Sequence, residues 1–225
     1  LVDADLLTVG AISAVSFSRV QSSGVALIRE DGALAGLVTT DGNGSIVQET
    51  IDGTLTVTSA VSAKGAGNIR LSAGGADGSL LVQSLVSSKT GHITLIGLKD
   101  VVQSSSGRVG TTGGSIDVEA TTGSIIMNDG STAASAGGAI RYGAAVNVGI
   151  GGLDAGSIRD NGDTHQDVSA LSLRLAAGLD VGMVSSLDIG VTNLAASAAN
   201  GGISLIEADV VTVATIAGVQ VSRVD

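Results

Sequence analysis

The chain has 225 residues, a formal net charge of −10 from 21 acidic and 11 basic side chains, 34 glycines, no proline and no cysteine. That charge disfavours nucleic acid and anionic membrane surfaces as partners, since both need clustered Lys and Arg. The missing cysteines exclude a disulfide scaffold, a thiolate metal site and a Cys nucleophile.

Taken in chain order, the first forty residues carry Val25, Leu27, Leu34 and Leu37, which suggest one or two strand-bearing coils of ill-defined phase. From residue 44 a phrase recurs: Gly, any residue, Ile, any residue, apolar residue. It reads Gly67-Asn68-Ile69-Arg70-Leu71, Gly91-His92-Ile93-Thr94-Leu95, Gly114-Ser115-Ile116-Asp117-Val118 and Gly138-Ala139-Ile140-Arg141-Tyr142, and returns as Gly201-Gly202-Ile203-Ser204-Leu205. Gly44-Ser45-Ile46 opens the series with Gln48 at the second apolar position. The isoleucines from Ile46 to Ile140 are spaced by 23, 24, 23 and 24 residues, and Ile203 follows at three steps of 21. A fixed period of this length marks a repeat architecture in which each unit contacts only its neighbours.

Within a repeat the pattern predicts two or three short strands. The coil at Ile46 continues through Leu55, Val57 and Val61, and the next through Leu71, Leu80, Val82 and Val86. Later coils carry Leu95, Val101 and Val109, then Val118 and Ile125, then Tyr142, Val146, Val148 and Ile150. Alternation of this kind means one buried and one wet face. The hydrophobic fraction is 44% and aromatic residues are 1%, so Val, Ile, Leu and Ala must fill the core; the branched ones favour strands. With no proline, every backbone N–H is free to join a ladder. The small-residue strings 133–136 and 195–199 are where a short helical turn would fit. The polar run 157–170 is predicted to leave the coil as a protruding loop. The repeat resumes with Leu171, Leu173 and Leu175, then Leu187, Ile189 and Val191, and ends with Ile203, Leu205, Val211, Val213, Ile216, Val219 and Val221.

The expected fold is all-β: a single right-handed parallel β-helix, or β-solenoid, over residues 1–225, with about 21–24 residues per coil. Nine or ten coils at ~4.8 Å each give a rod of about 45 Å. No segment approaches the ~20 apolar residues that span a bilayer. Leu1 stands where an initiator Met would, with no basic, signal-like start, so the chain reads as a section of something longer.

The segment Leu187-Asp188-Ile189-Gly190-Val191-Thr192-Asn193-Leu194-Ala195-Ala196-Ser197, followed by Gly201-Gly202-Ile203-Ser204-Leu205, resembles the filamentous-haemagglutinin type of giant repetitive bacterial surface proteins. The resemblance covers roughly residues 44–222 apart from the polar run. It implies a right-handed parallel β-helix, secretion to the cell surface, and an adhesive or scaffolding role.

Several residues carry candidate chemistry. Asp160, Asp163 and Asp167, with Asn161, offer the hard oxygen ligands that Ca²⁺ takes, without the EF-hand spacing. Calcium is the one cofactor the sequence suggests. Gly74-Gly75-Ala76-Asp77-Gly78 does not match the nonapeptide β-roll motif, because its Asp falls two places early. Asp117, Glu119 and Asp129 share a coil and form the best carboxylate set for glycoside chemistry. His92 and His165 stand three coils apart, too far for a shared metal. Thr54, Thr56 and Thr58 alternate outward without recurring in neighbouring coils. No nucleophile, base and oxyanion donor converge, so the chain is expected to be no enzyme. The functional expectation is a structural or adhesive segment of an extracellular bacterial filament or giant surface adhesin. The alternatives are a self-polymerising extracellular fibre subunit and a carbohydrate-active β-helix enzyme. The expected partners are copies of itself or further repeats through the end coils, and cell-surface glycans, with no nucleic acid and no membrane span.

Overall fold

The spacing of inward-facing apolar residues makes strands that stack one coil above the next. In the computed structural model, which describes residues 1–146, 156–162, 164–207, 209–213 and 223–224, these strands join in parallel ladders with no helix. Val148, Ile150, Asp163, Ile216, Val219 and Val221 lie outside the described residues. No helix of the described residues is long and apolar enough to cross a membrane.

A full coil has three strands separated by corners. In one coil they are Ile69–Ala73, Leu80–Val82 and Leu85–Ser88; in the next, Ile93–Gly97, Val101–Gln103 and Arg108–Thr111. Period-two alternation sends Ile69, Leu71 and Ala73 inward, where all three are buried, and leaves Arg70 on the outer face.

Register then turns the phrase into columns. Ile46, Ile69, Ile93, Ile116 and Ile140 pair in succession and continue into Leu173 and Leu194. A second column runs Leu7, Leu55, Leu80, Val101, Ile125 and Ile158. A third runs Leu37, Val61, Val86, Val109, Ala133, Val168 and Ile189. These columns form one continuous core. Each fully buried Ile or Leu contributes about 1.5–3 kcal/mol relative to staying in water. Gln48 enters the core where the phrase lacks an apolar residue, and its Nε2 donates to the Glu49 carbonyl at 3.1 Å.

Three successive corners before a first strand repeat one polar device. Ser88, Thr111 and Ser135 hold equivalent positions. Each hydroxyl donates to a glycine carbonyl of the coil below, namely Gly67, Gly91 and Gly114, at 2.7, 3.0 and 2.6 Å. Each also accepts the N–H of the glycine that opens its own next phrase, Gly91, Gly114 or Gly138, at 3.0–3.1 Å. A Cβ on Gly91 would collide with the Gly67 carbonyl, and one on Gly114 with that of Gly91. The phrase therefore begins with glycine because backbone lies directly beneath it.

Where the structure departs from the expected pattern, chain length is diverted out of the coil. Among the described residues six coils have all three strands, as the six-stranded middle sheet shows; nine or ten coils were expected. Two further coils keep the outer strands but reduce the middle one to the single bridges Ile158↔Val181 and Val181↔Ile203. The first coil, Val2–Asp3, Leu7–Val9 and Leu37–Thr39, is interrupted by an antiparallel hairpin of Val15–Val20 against Ala26–Asp31. Val25, Leu27 and Leu34 belong to this exposed excursion, and only Leu37 belongs to the coil.

Ile203 is a second departure. It carries the same phrase as Ile93 but extends the middle-strand column through Val181 and is 44% exposed. The step of 21 that reached it from Ile140 was arithmetic coincidence, because the coil after Ile140 is longer than its neighbours. Leu171 is likewise exposed, in a register shift between Ala170 and Ser172, while Leu173 and Leu175 are buried. The strings expected to form helical turns are strands, inside Thr132–Ala144 and Leu187–Ala198. Ladder hydrogen bonds between coils override the helix propensity of these alanines, because tertiary context outweighs propensity.

The polar run 157–170 is not one protruding loop. Ile158–Asp160 pairs with Ile125–Met127 as a middle strand, and Val168 begins the strand Val168–Ala177. Among the described residues of this run, Asn161, Gly162, Thr164, His165 and Gln166 are the exposed ones.

Candidate functional site

The register that stacks the coils also decides which polar side chains meet. Asp160 ends the middle strand of the sixth coil, in the inward column of Gln103 and Met127. Asp167 precedes the third strand of the same coil. Both are fully buried. Asp188 lies in the following coil, beside Asp167: the Asp167 N–H donates to the Asp188 carbonyl at 2.8 Å, and the Asp188 N–H donates to Asp167 Oδ2 at 2.9 Å. One carboxylate oxygen from each of Asp160, Asp167 and Asp188 lies within 4.8 Å of the other two.

The expected trio of Asp160, Asp163 and Asp167 is thus only partly assembled. Asp160 and Asp167 come together, Asp163 is outside the described residues, and Asp188 joins from the next coil. Asp188 stands 21 positions after Asp167, one coil on; that periodicity was the signal in the sequence that could have found it. Like charges at this separation repel by on the order of 3 kcal/mol per pair at an effective dielectric near 20. Asp160 Oδ2 accepts the Gly162 N–H at 3.0 Å, while its Oδ1 is buried and accepts nothing among the described residues. Tyr142, the chain's one tyrosine, is fully buried in the first-strand column, and its hydroxyl has no partner among the described residues. Burial raises its pKa, and the negative charge of Asp167 raises it further.

The second carboxylate set divides. Asp117 and Glu119 face outward on one strand; Asp129 is exposed in the corner after Ile125–Met127. Arg141, one coil above, reaches Asp117 at 2.7 Å and Glu119 at 3.4 Å. Arg223 returns from the far end of the chain to Glu119 at 2.9 Å, and the Val224 N–H donates to Thr94 Oγ1 at 3.2 Å. Burial works against the Arg141 charge, but hydrogen bonding and Coulomb attraction from Asp117 and then Glu119 overcome it, leaving the guanidinium raised. This is a charge-compensated row on the outer face. Its carboxylates hold arginines in place, a structural use of groups that could otherwise serve as acid and base.

His92 is half-buried, with Nδ1 accepting the Ser115 N–H at 3.0 Å, so it joins neighbouring coils. His165 is exposed in the excursion. Thr56 pairs with Thr8 on one side and Leu81 on the other, so the outward threonines stop after two coils. A groove of about 670 Å³ lies at the base of the hairpin, lined by Ile12, Val15, Phe17 and Leu34, and gathers none of the expected site residues. Comparisons with protein-family models, with curated proteins and with solved structures found no match to this chain.

Proposed function

We propose that the chain is a stiff structural segment of an extracellular bacterial filament or giant surface adhesin, which sets reach and presents its surface to partners such as cell-surface glycans. The observation that carries this reading is the unbroken column from Ile46 through Ile140 to Leu194. A molecule whose every coil is buried against the last gains length and rigidity together. On this reading the chain works through its shape and turns over no substrate. The resemblance of residues 187–205 to filamentous-haemagglutinin-type proteins points the same way. Immunogold labelling against the exposed hairpin 15–31 on thin sections of cells of the source organism tests it. Label on surface projections is expected; label confined to the cytoplasm would refute it.

A second reading is favoured by one specific feature. Among the described residues, Leu205–Glu207 and Thr212–Val213 each pair on one side only, to Leu187–Ala198. Ile203, Ile206, Val210 and Val213 around them are exposed. One-sided strands with exposed apolar residues are templates for pairing, so a self-polymerising fibre subunit fits this end of the solenoid. Sedimentation of the purified chain distinguishes the two: fibres that grow with concentration support the fibre subunit, and monomer at all concentrations opposes it.

A further inference from the structure

We propose that Asp160, Asp167 and Asp188 form a calcium site that fastens the excursion after Asp160 to the coil and joins the sixth coil to the seventh.

The first support is placement. One carboxylate oxygen from each residue lies within 4.8 Å of the others, and Asp160 and Asp167 are fully buried. Ligands 2.3–2.6 Å from a calcium ion can stand up to about 5 Å apart across it. Magnesium demands near-ideal octahedral geometry and gives up its waters reluctantly, so a buried set of protein carboxylates suits calcium better.

The second support is independent of the clustering. Asp160 stands in an inward column whose preceding members are Gln103 and Met127. A carboxylate there is costly unless something compensates it. Its Oδ2 has the Gly162 N–H, but its Oδ1, fully buried, accepts no hydrogen bond among the described residues. Asp160 Oδ1 is thus a buried acceptor that no donor among the described residues satisfies, as an oxygen of a cation site is.

The donor set chooses the ion. The three gathered ligands are all carboxylates, hard oxygen donors of the kind calcium takes; zinc would draw imidazole or thiolate. Position gives the consequence. Asp160 and Asp167 flank the excursion, and Asp188 belongs to the next coil, so one ion closes a loop and links two coils at the level where the middle strand has shrunk to single bridges. This assignment does not depend on the chain being extracellular.

The test uses the full chain, stripped with EDTA and titrated calorimetrically with CaCl₂ and separately with MgCl₂ to about 10 mM, above the weak extracellular range of calcium affinities. Thermal unfolding is followed in parallel. One calcium per chain is expected. Tm should rise roughly 5–10 °C at calcium 100-fold above Kd. Asp188→Asn, at a half-buried position, should weaken binding at least about tenfold through lost ligand charge. Asp160→Asn should do the same, and without calcium should melt no lower than the parent, because it removes a repelling charge. Absence of both heat and Tm shift with CaCl₂ overturns the proposal. So does calcium binding that both variants leave unchanged, or magnesium binding as tight as calcium.

Discussion

Ile93 and Ile203 carry the same sequence phrase but occupy different places, and truncating each to alanine separates phrase from structure. Ile93 is fully buried, paired between Ile69 and Ile116. Removing three carbons there loses about 0.8 kcal/mol for each in transfer and leaves a cavity that two stacked neighbours cannot close. The expected cost is about 3–4 kcal/mol. Ile203 is 44% exposed at a single bridge, so close to half of its transfer term is absent and no closed cavity forms; about 1 kcal/mol is expected. For a chain of this size each kcal/mol moves Tm by roughly 2–4 °C. Ile93→Ala should therefore melt roughly 6–16 °C below the parent and Ile203→Ala only roughly 2–4 °C below. Differential scanning calorimetry in EDTA reads both, with Ile28→Ala on the exposed hairpin as a control expected within about 0.5 kcal/mol of the parent. Equal losses at Ile93 and Ile203 would falsify the register, because they would put both residues in one column.

The single buried tyrosine supplies an optical test. Its pKa is raised, so the neutral phenol favours the folded state: stability is intact below the ordinary tyrosine pKa near 10 and falls as pH climbs above it, by up to about 1.4 kcal/mol per pH unit. Tyrosinate absorbance should stay flat past pH 10 and appear together with unfolding, and Tyr142→Phe should flatten the alkaline loss; a reversible titration near pH 10 in the folded protein would show the ring is not buried. Arg141→Met strands Asp117 at 3% exposure and should cost about 2–3 kcal/mol in chemical denaturation, with most of it recovered in Arg141→Met/Asp117→Leu; no loss in the single variant would mean the pair is solvated. A panel of acidic polysaccharides should yield no new reducing or unsaturated ends, and release abolished by Asp117→Ala or Asp129→Ala would establish the carbohydrate-active alternative.

Most of the solenoid was legible because glycine, isoleucine and alternation all express one constraint, the stacking of identical corners. That constraint holds from Gly44 to Tyr142, and there the expected columns match the ladder pairs. It fails where residues leave the coil without changing composition. Val15-Ser16-Phe17-Ser18 in the hairpin alternates as a coil strand does, so periodicity alone could not tell antiparallel from parallel pairing. The longer sixth coil shifted the phase, which carried Ile203 into the wrong column. The acidic corner was half visible: Asp160 and Asp167 stood out as polar residues, but polarity suggested solvent, whereas they lie inside. Asp188 sat within a strand phrase, and only the coil-to-coil register places it beside Asp167.

The glycine and hydroxyl corners make this protein's length a matter of copy number. Gly91, Gly114 and Gly138 each meet the same backbone beneath and the same hydroxyl oxygen beside them. Excising residues 91–113 would set Gly114 directly above Gly67, with the Ser88 hydroxyl receiving its N–H as it now receives that of Gly91. No side chain would need redesign at the new joint. Duplication of the same stretch would extend the stack by one coil on the same terms. Inheritance can therefore lengthen or shorten such a molecule in whole interchangeable units, and the distance it spans can change without its fold being reinvented.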